Sequence, residues 1–269
     1  MLERWIRFAQ AGQTGDQTGD QTGDQTGFGK LGGDDQTITV FQGDMFNGAK
    51  PTGDSLKLAD VKLLAPTQPT KVIALWNNFK ALGDKLQLTT PPEPLYFLKS
   101  PNSWANPGDV IRQPAQAGKV VFEGELGIVI GKIASCITEA AVPGHVFGYT
   151  CANDVTHADI LNRDTSFAQW VRAKGFDTFC PFGPVVATGL DPQTLVVKTT
   201  LNGQERQNYP VSDMRFSVAQ LVSKISHDMT LLPGDIILCG TSIGVGSMKP
   251  GSEISVEISG IGILGNRFE

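Results

Sequence analysis

Two carboxylates stand two residues apart inside an apolar run. They are Glu123 and Glu125, in Val120-Val121-Phe122-Glu123-Gly124-Glu125-Leu126-Gly127-Ile128-Val129-Ile130. Strand side chains alternate between faces, so this spacing puts both acids on one face with Val121 and Val129. Phe122, Leu126, Ile128 and Ile130 fall on the other. Buried together, two ionised acids repel each other and lose hydration, and a divalent cation is the simplest neutralising partner. Alone, the pair also fits a solvated strand face. Downstream, Phe147-Gly148-Tyr149-Thr150-Cys151-Ala152-Asn153-Asp154-Val155 reads as a strand ending on a third acid, Asp154. An aspartate there is by itself an ordinary turn or helix-cap residue. Combined with Glu123 and Glu125 it makes an all-oxygen donor set, which suits Mg²⁺ or Mn²⁺ better than zinc, a metal that favours nitrogen and sulfur.

Such a set needs a scaffold of strands. Residues 2–8 read as a short strand or helical turn. Gly29-Lys30-Leu31 and Thr37-Ile38-Thr39-Val40-Phe41 read as a hairpin around Gly32-Gly33-Asp34, and residues 61–66 as a further strand. Residues 13–27 repeat Gln-Thr-Gly-Asp with nothing apolar to bury, which reads as an expanded surface loop. Together, residues 1–65 form a small β-rich N-terminal portion, separated near Pro66–Pro69 from a catalytic portion over 66–269. In that portion, 71–76, 95–99, 184–188, 195–201, 236–239 and 254–258 read as strands. Residues 80–88 read as a short helix or lid, and 156–162 and 166–173 as short helices. Asn202-Gly203 marks a tight hairpin. Ser217-Val218-Ala219-Gln220 is a capping box opening a helix whose stripe is Val218, Leu221, Val222 and Ile225. Strands dominate and β-α-β alternation is poor, so the expected class is α+β and β-rich, a mixed β-roll rather than a Rossmann sheet.

Composition narrows the partners. The 269 residues carry a net charge of -5, with 40% hydrophobic and 18% charged residues. That leaves no basic stripe to neutralise nucleic-acid phosphates. No run approaches the roughly 18 apolar residues of a membrane span, and the first residues lack the long apolar core of a secretory signal. Cys136, Cys151, Cys180 and Cys239 follow no metal or redox spacing. These features point to reduced thiols and a cytoplasmic protein.

Several segments together resemble the fumarylacetoacetate hydrolase superfamily. Phe122 to Lys132 resembles its E-x-E-L-x-x-V-I-G-K segment, and Gly148 to Val155 its G-Y-T-x-x-N-D-V. Gln169 to Pro184 resembles Q-W-x-R-x-K-x-x-D-T-F-x-P-x-G-P, and Leu201 to Gln207 resembles x-N-G-x-x-R-Q. Leu232 to Gly246 is similar to L-x-P-G-D-x-I-x-x-G-T-P-x-G-V-G, with Ser242 where the proline stands, and Gly260-Ile261-Gly262 to the terminal G-I-G. The matches keep family order from about residue 71 to the end. The resemblance implies a β-roll catalytic domain, commonly a homodimer, with Mg²⁺ or Mn²⁺ held by Glu123, Glu125 and Asp154; Ca²⁺ is the expected stand-in in a crystal. It also implies Lys174 as an electrostatic stabiliser or proton carrier, and Gln169, Arg172 and Thr241 as residues that meet a small carboxylated substrate.

One stretch departs from the family. Members that hydrolyse C–C bonds or decarboxylate often carry N-Y-x-x-H-x-x-E on the lid. Here the segment is Asn78-Phe79-Lys80-Ala81-Leu82-Gly83-Asp84, with Leu82 in the histidine's place. His145, His157 and His227 all lie elsewhere. Asp84 is the nearest acid and the candidate base, alongside Lys80 or a carboxylate-held water. The implied chemistry passes through an enolate of a 2-oxo or 1,3-dicarbonyl acid. The first expectation is C–C bond hydrolysis in organic-acid or aromatic catabolism. Isomerase and decarboxylase are the alternatives, since isomerisation needs no base for an attacking water. A metal- and oxo-acid-binding homologue with little turnover is the alternative of another class.

Overall fold

The computed structural model describes residues 1–10, 25–116, 118–161 and 163–269. The chain opens with β1 (Glu3–Gln10), β2 (Gln25–Leu31), β3 (Thr37–Gln42), β4 (Lys50–Lys57) and β5 (Lys62–Leu64). The first segment is therefore a strand and not a helical turn. β2 and β3 form the expected hairpin. β4 carries Lys, Pro, Gly and Asp and has almost no buried residue. That polar composition hid it from a reading based on apolar alternation, and it suits an exposed sheet edge. The surface loop expected over 13–27 ends earlier, because Gln25–Gly27 already pairs with β1; residues 13–24 lie outside the described residues.

The rest of the chain supplies β6 (Val72–Trp76), helix α1 (Lys80–Lys85), β7 (Leu95–Lys99), β8 (Trp104–Ala105), β9 (Val110–Ile111), β10 (Val120–Phe122), β11 (Gly124–Ile130) and β12 (Val146–Asn153). Then come β13 (Thr156–His157), the short helices α2 (Ala158–Leu161) and α3 (Trp170–Lys174), and β14 (Cys180–Thr188). β15 (Val196–Leu201), β16 (Gln204–Pro210), helix α4 (Val218–Asp228), β17 (Ile236–Leu238), β18 (Gly246–Ser247), β19 (Ser252–Ile258) and β20 (Gly262–Phe268) complete it. Thus 156–162 opens as a strand, β14 starts four residues before the expected 184, and a strand follows 254–258 at the end.

The main sheet runs β4-β3-β2-β1-β14-β12-β11-β17-β6-β7, so the N-terminal strands continue it through the β1–β14 pair. β17 and β6 pair in parallel and their neighbours antiparallel, which makes the sheet mixed. A second sheet, β16-β15-β19-β20-β9, packs against it, and β13-β10-β18 forms a third. Leu126, Ile128 and Ile130 enter the larger core with Ile237, Val197 and the α4 residues Leu221, Val222 and Ile225. Val129 enters a second core with Phe182 and Leu238 on the other face. α4 starts on the capping box as read, with reciprocal Ser217 and Gln220 bonds. The fold is β-rich α+β with mixed sheets.

The 120–130 segment differs from its sequence reading at one point. It is two strands, interrupted at Glu123. β10 pairs with β13 and β18, whereas β11 pairs with β12 and β17. Phe122 therefore does not share a face with Leu126. It packs with Val120, Val155 and Phe179 in a separate small core. Apolar alternation runs unbroken through Glu123, so it carries no mark of the change of sheet.

Candidate metal centre

The interruption at Glu123 creates the site. Leaving β10, the chain aligns Gly124 with Asn153 and Glu125 with Ala152 on β12. The Glu123 amide donates to Asn153 Oδ1 at 3.0 Å, and the Asp154 amide to the Glu123 carbonyl at 2.9 Å. The end of β12 thus lies against the break, and Asp154 arrives beside the two glutamates. Carboxylate oxygens of Glu123, Glu125 and Asp154 all lie within 4.8 Å of one another. Asp154 and Glu125 are fully buried, and Glu123 nearly so.

Two buried lysines answer the three acids. Lys174, at the end of α3, places Nζ 2.6 Å from Asp154 Oδ2 and 3.0 Å from Glu123 Oε2. Its Nζ also lies 5.2 Å from the centroid of the Phe97 ring. Lys99, at the end of β7, stands 2.7 Å from Asp154 Oδ1 and donates to the carbonyls of Phe179 and Val155 at 3.0 and 3.3 Å. Thr156 Oγ1 donates to Glu123 Oε1 at 2.7 Å. Glu125 Oε2 accepts from the Gly240 amide at 2.8 Å, while Oε1, also buried, has no partner within the protein.

The charges follow from these contacts. Burial, and then the charges of Asp154 and Glu123, push the Glu125 carboxyl well above its ordinary range. Burial also raises Glu123, against the pull of Lys174. Burial works upward on Asp154 too, but Lys174 and Lys99 outweigh it and hold this carboxyl below its ordinary value. For Lys174, burial favours the neutral amine, yet Asp154 and Glu123 prevail and raise it. Three acids facing two lysines leave a surplus of negative charge in a dry site. An all-oxygen donor set with an unpartnered buried oxygen fits a hard divalent cation, which would be held by Glu123, Glu125 and Asp154.

The other sequence candidates lie in different settings. Thr241 is buried in the loop after β17, donates to the Gly124 carbonyl at 3.1 Å and accepts from Gln207 Nε2 at 2.8 Å. Gln169 is half-buried just before α3, and its side chain donates to the Phe167 carbonyl. Arg172 is on the exposed face of α3. Asp84 sits on α1 with its side chain 78% exposed, facing Arg215 at 3.5 Å, and it makes no contact with the carboxylate cluster. His157 is buried, with Nε2 3.4 Å from the Gln116 carbonyl. Sequence reasoning missed Lys99 and Thr156. The signal for Lys99 was its parity: it shares a strand phase with Phe97 at the end of an apolar strand, an odd place for a solvated charge.

The fold and site together define a β-rich protein whose strands bring three carboxylates and two buried lysines into one centre that could hold a metal ion. Residues 71–269 match the family described as "Fumarylacetoacetate (FAA) hydrolase C-terminal", and residues 21–66 match "Rv2993c-like, N-terminal". The chain belongs to the fumarylacetoacetate hydrolase family. It is 43% identical over 218 residues to Protein Rv2993c of Mycobacterium tuberculosis, covering 80% of this chain and 81% of that one. It is 36% identical over 240 residues to oxaloacetate tautomerase YisK of Bacillus subtilis, covering 82% and 79%. The structure of a 2-hydroxyhepta-2,4-diene-1,7-dioate isomerase from Mycobacterium marinum superposes with a TM-score of 0.86 at 38% identity, over 99% of this chain and 98% of the other. Membership makes the chain an enzyme of a family containing hydrolases, isomerases and tautomerases. Among the described residues, no helix is long and apolar enough to cross a membrane.

Proposed function

We propose that this enzyme is a divalent-metal-dependent isomerase that interconverts the keto and enol forms of a small 2-oxo dicarboxylic acid. One observation carries the reading. Among the described residues, the side chains that contact the three carboxylates are Lys174, Lys99 and Thr156. None is a base suited to activating water at neutral pH, and Asp84 on the lid helix points to solvent beside Arg215. Keto–enol exchange consumes no water. It moves one proton between carbon and oxygen and needs only stabilisation of the enolate and a proton carrier. The likeness to an oxaloacetate tautomerase and to a 2-hydroxyhepta-2,4-diene-1,7-dioate isomerase, both named for dicarboxylic acids, supports the same class.

Glu123, Glu125 and Asp154 would hold a Mg²⁺ or Mn²⁺ ion, which would supply Lewis acidity toward the substrate's oxygens. Lys174, kept protonated by Asp154 and Glu123, offers positive charge to the developing enolate and, in the enol-to-keto direction, gives a proton to carbon and is recharged by the proton that the enol hydroxyl releases. Arg172 and Gln169 on α3, and Thr241 in the loop after β17, are the groups to bind and orient the carboxylates. Their locations flank Lys174 and Gly124 respectively.

The test is a substrate panel with added Mg²⁺ or Mn²⁺. Freshly dissolved oxaloacetate is followed by its enol absorbance, and acylpyruvates by cleavage products. The expected result is metal-dependent acceleration of tautomerisation without C–C cleavage, abolished by Asp154→Ala. Cleavage of acylpyruvates without tautomerisation would make the enzyme a hydrolase. Tight oxalate binding without turnover of any compound would make it a binding homologue.

A further inference from the structure

Glu123 and Glu125 are joined by one glycine, and both peptide bonds around that glycine are gripped from β16. The Gly124 amide donates to Gln207 Oε1 at 3.0 Å. The Gly124 carbonyl accepts from the hydroxyls of Thr241 and Tyr209. Gln207 Nε2 donates in turn to Thr241 Oγ1 at 2.8 Å and to the Ser242 carbonyl at 3.1 Å. Gln207 is 1% exposed, and its register partner on β15 is Thr199. A Cβ on Gly124 would stand 2.0 Å from Thr199 Oγ1 and 3.3 Å from Gln207 Oε1. The loop after β17 rests on the same strand: a Cβ on Gly244 would stand 1.9 Å from the Arg206 carbonyl. The β15–β16 hairpin therefore backs both the ligand backbone and the Thr241 loop, and one side chain bonds to each.

We propose that Gln207 is a positioning residue that fixes the Glu123–Gly124–Glu125 backbone and ties it to Thr241. The metal-ligand set and the substrate-binding loop are thereby held as one unit. This inference rests on the metal-centre reading. Its two amide atoms divide the work. Oε1 sets the spacing of the glutamate pair, and Nε2 orients the Thr241 hydroxyl and its loop. β12 pairs with this segment on one edge, but β17 reaches only Gly127–Val129 on the other, so the Gly124 amide and carbonyl are held by side chains and not by a main-chain ladder.

The experiment measures Mn²⁺ affinity by calorimetry and KM for oxaloacetate in wild type, Gln207→Met, Gln207→Glu and Thr241→Val. Gln207→Met keeps length but loses every hydrogen bond of the side-chain amide. It should weaken Mn²⁺ binding about tenfold or more, the range found when groups supporting metal ligands are removed, and raise KM as well. Gln207→Glu keeps the acceptor for the Gly124 amide and loses the donors. It should hold Mn²⁺ affinity within about threefold while KM rises, a split that general loosening of the fold does not produce. Thr241→Val should raise KM and weaken Mn²⁺ binding less than Gln207→Met does, because Tyr209 still holds the Gly124 carbonyl. Wild-type Mn²⁺ affinity in Gln207→Met overturns the inference alone. If Gln207→Met does not fold, an unchanged KM in Gln207→Glu overturns it. Absence of Mn²⁺ binding by the wild type overturns the metal-centre reading, and the inference with it.

Discussion

The carboxylate centre and the α1 lid occupy opposite extremes of organisation. In the centre, Glu123, Glu125, Asp154, Lys99 and Lys174 come from four separate parts of the sequence. They are packed with little access to water, and nearly every oxygen is bonded. On α1 the side chain of Asp84 is largely in solvent and pairs with Arg215 across 3.5 Å, the kind of surface ion pair worth about 0–1 kcal/mol. One region is built to hold charge in a fixed geometry; the other offers no fixed acid–base group. That contrast is the ground on which we propose enolate stabilisation, and not water activation, as the chemistry of the site.

The sharpest test of the contrast is Asp154→Ala. It removes the acid that both lysines face, leaving the buried Lys99 with no carboxylate partner and Lys174 with Glu123 alone. A destabilisation of about 3–5 kcal/mol is expected in denaturant titration, with loss of metal binding. A change below about 1 kcal/mol would mean that the centre is less dry than its packing indicates.

Glu125→Gln separates binding from folding. It removes one ligand charge, so metal affinity should fall by more than about 100-fold, beyond the loss typical of a supporting residue. The metal-free variant should unfold at a temperature equal to or above that of metal-free wild type, because the burial that penalises ionised Glu125 no longer applies. Equal metal content in variant and wild type, by elemental analysis, would remove Glu125 from the ligand set.

The same group gives a pH signature. Glu123 and Glu125 have folded-state values raised above the ordinary glutamate value of about 4.3. Their protonated forms favour the folded state, so their contribution is fully present below that value and is lost as pH rises toward the folded values. Asp154 is lowered, and its contribution is lost only as pH falls below the ordinary aspartate value of about 3.9. Metal-free protein should therefore lose stability as pH rises above the ordinary glutamate value of about 4.3, and Glu125→Gln should reduce that loss. Parallel curves for the two proteins would contradict the assignment.

The smallest effect belongs to the lid. Asp84→Asn should leave kcat within about twofold and stability within about 0.5 kcal/mol, as for an exposed side chain away from the chemistry. A tenfold loss of kcat would place a working base on α1 and break the contrast between the two regions.

Much of the scaffold was legible because its signals are local. The hairpin of β2 and β3, the capping box of α4 and the Asn202-Gly203 turn each lie within a few residues, and each formed as read. The break at Glu123 was not legible. Both β10 and β11 are buried and apolar, so alternation continues across the point where the partners change. β4 was missed for the opposite reason: an exposed edge strand needs no apolar face.

By itself the sequence determined which acids meet. Residue type and spacing picked out Glu123, Glu125 and the strand-end Asp154, and these three do lie together, although the interruption at Glu123 that lays the end of β12 against the pair is not in the alternation. Only the tertiary structure decided how that charge is held. Lys99 reaches Asp154 from the edge strand β7, and Gln207 reaches Gly124 from the second sheet. Both contacts join residues more than fifty positions apart. Local pattern encodes the face a side chain occupies; which distant side chain meets it there is set by how the sheets pack.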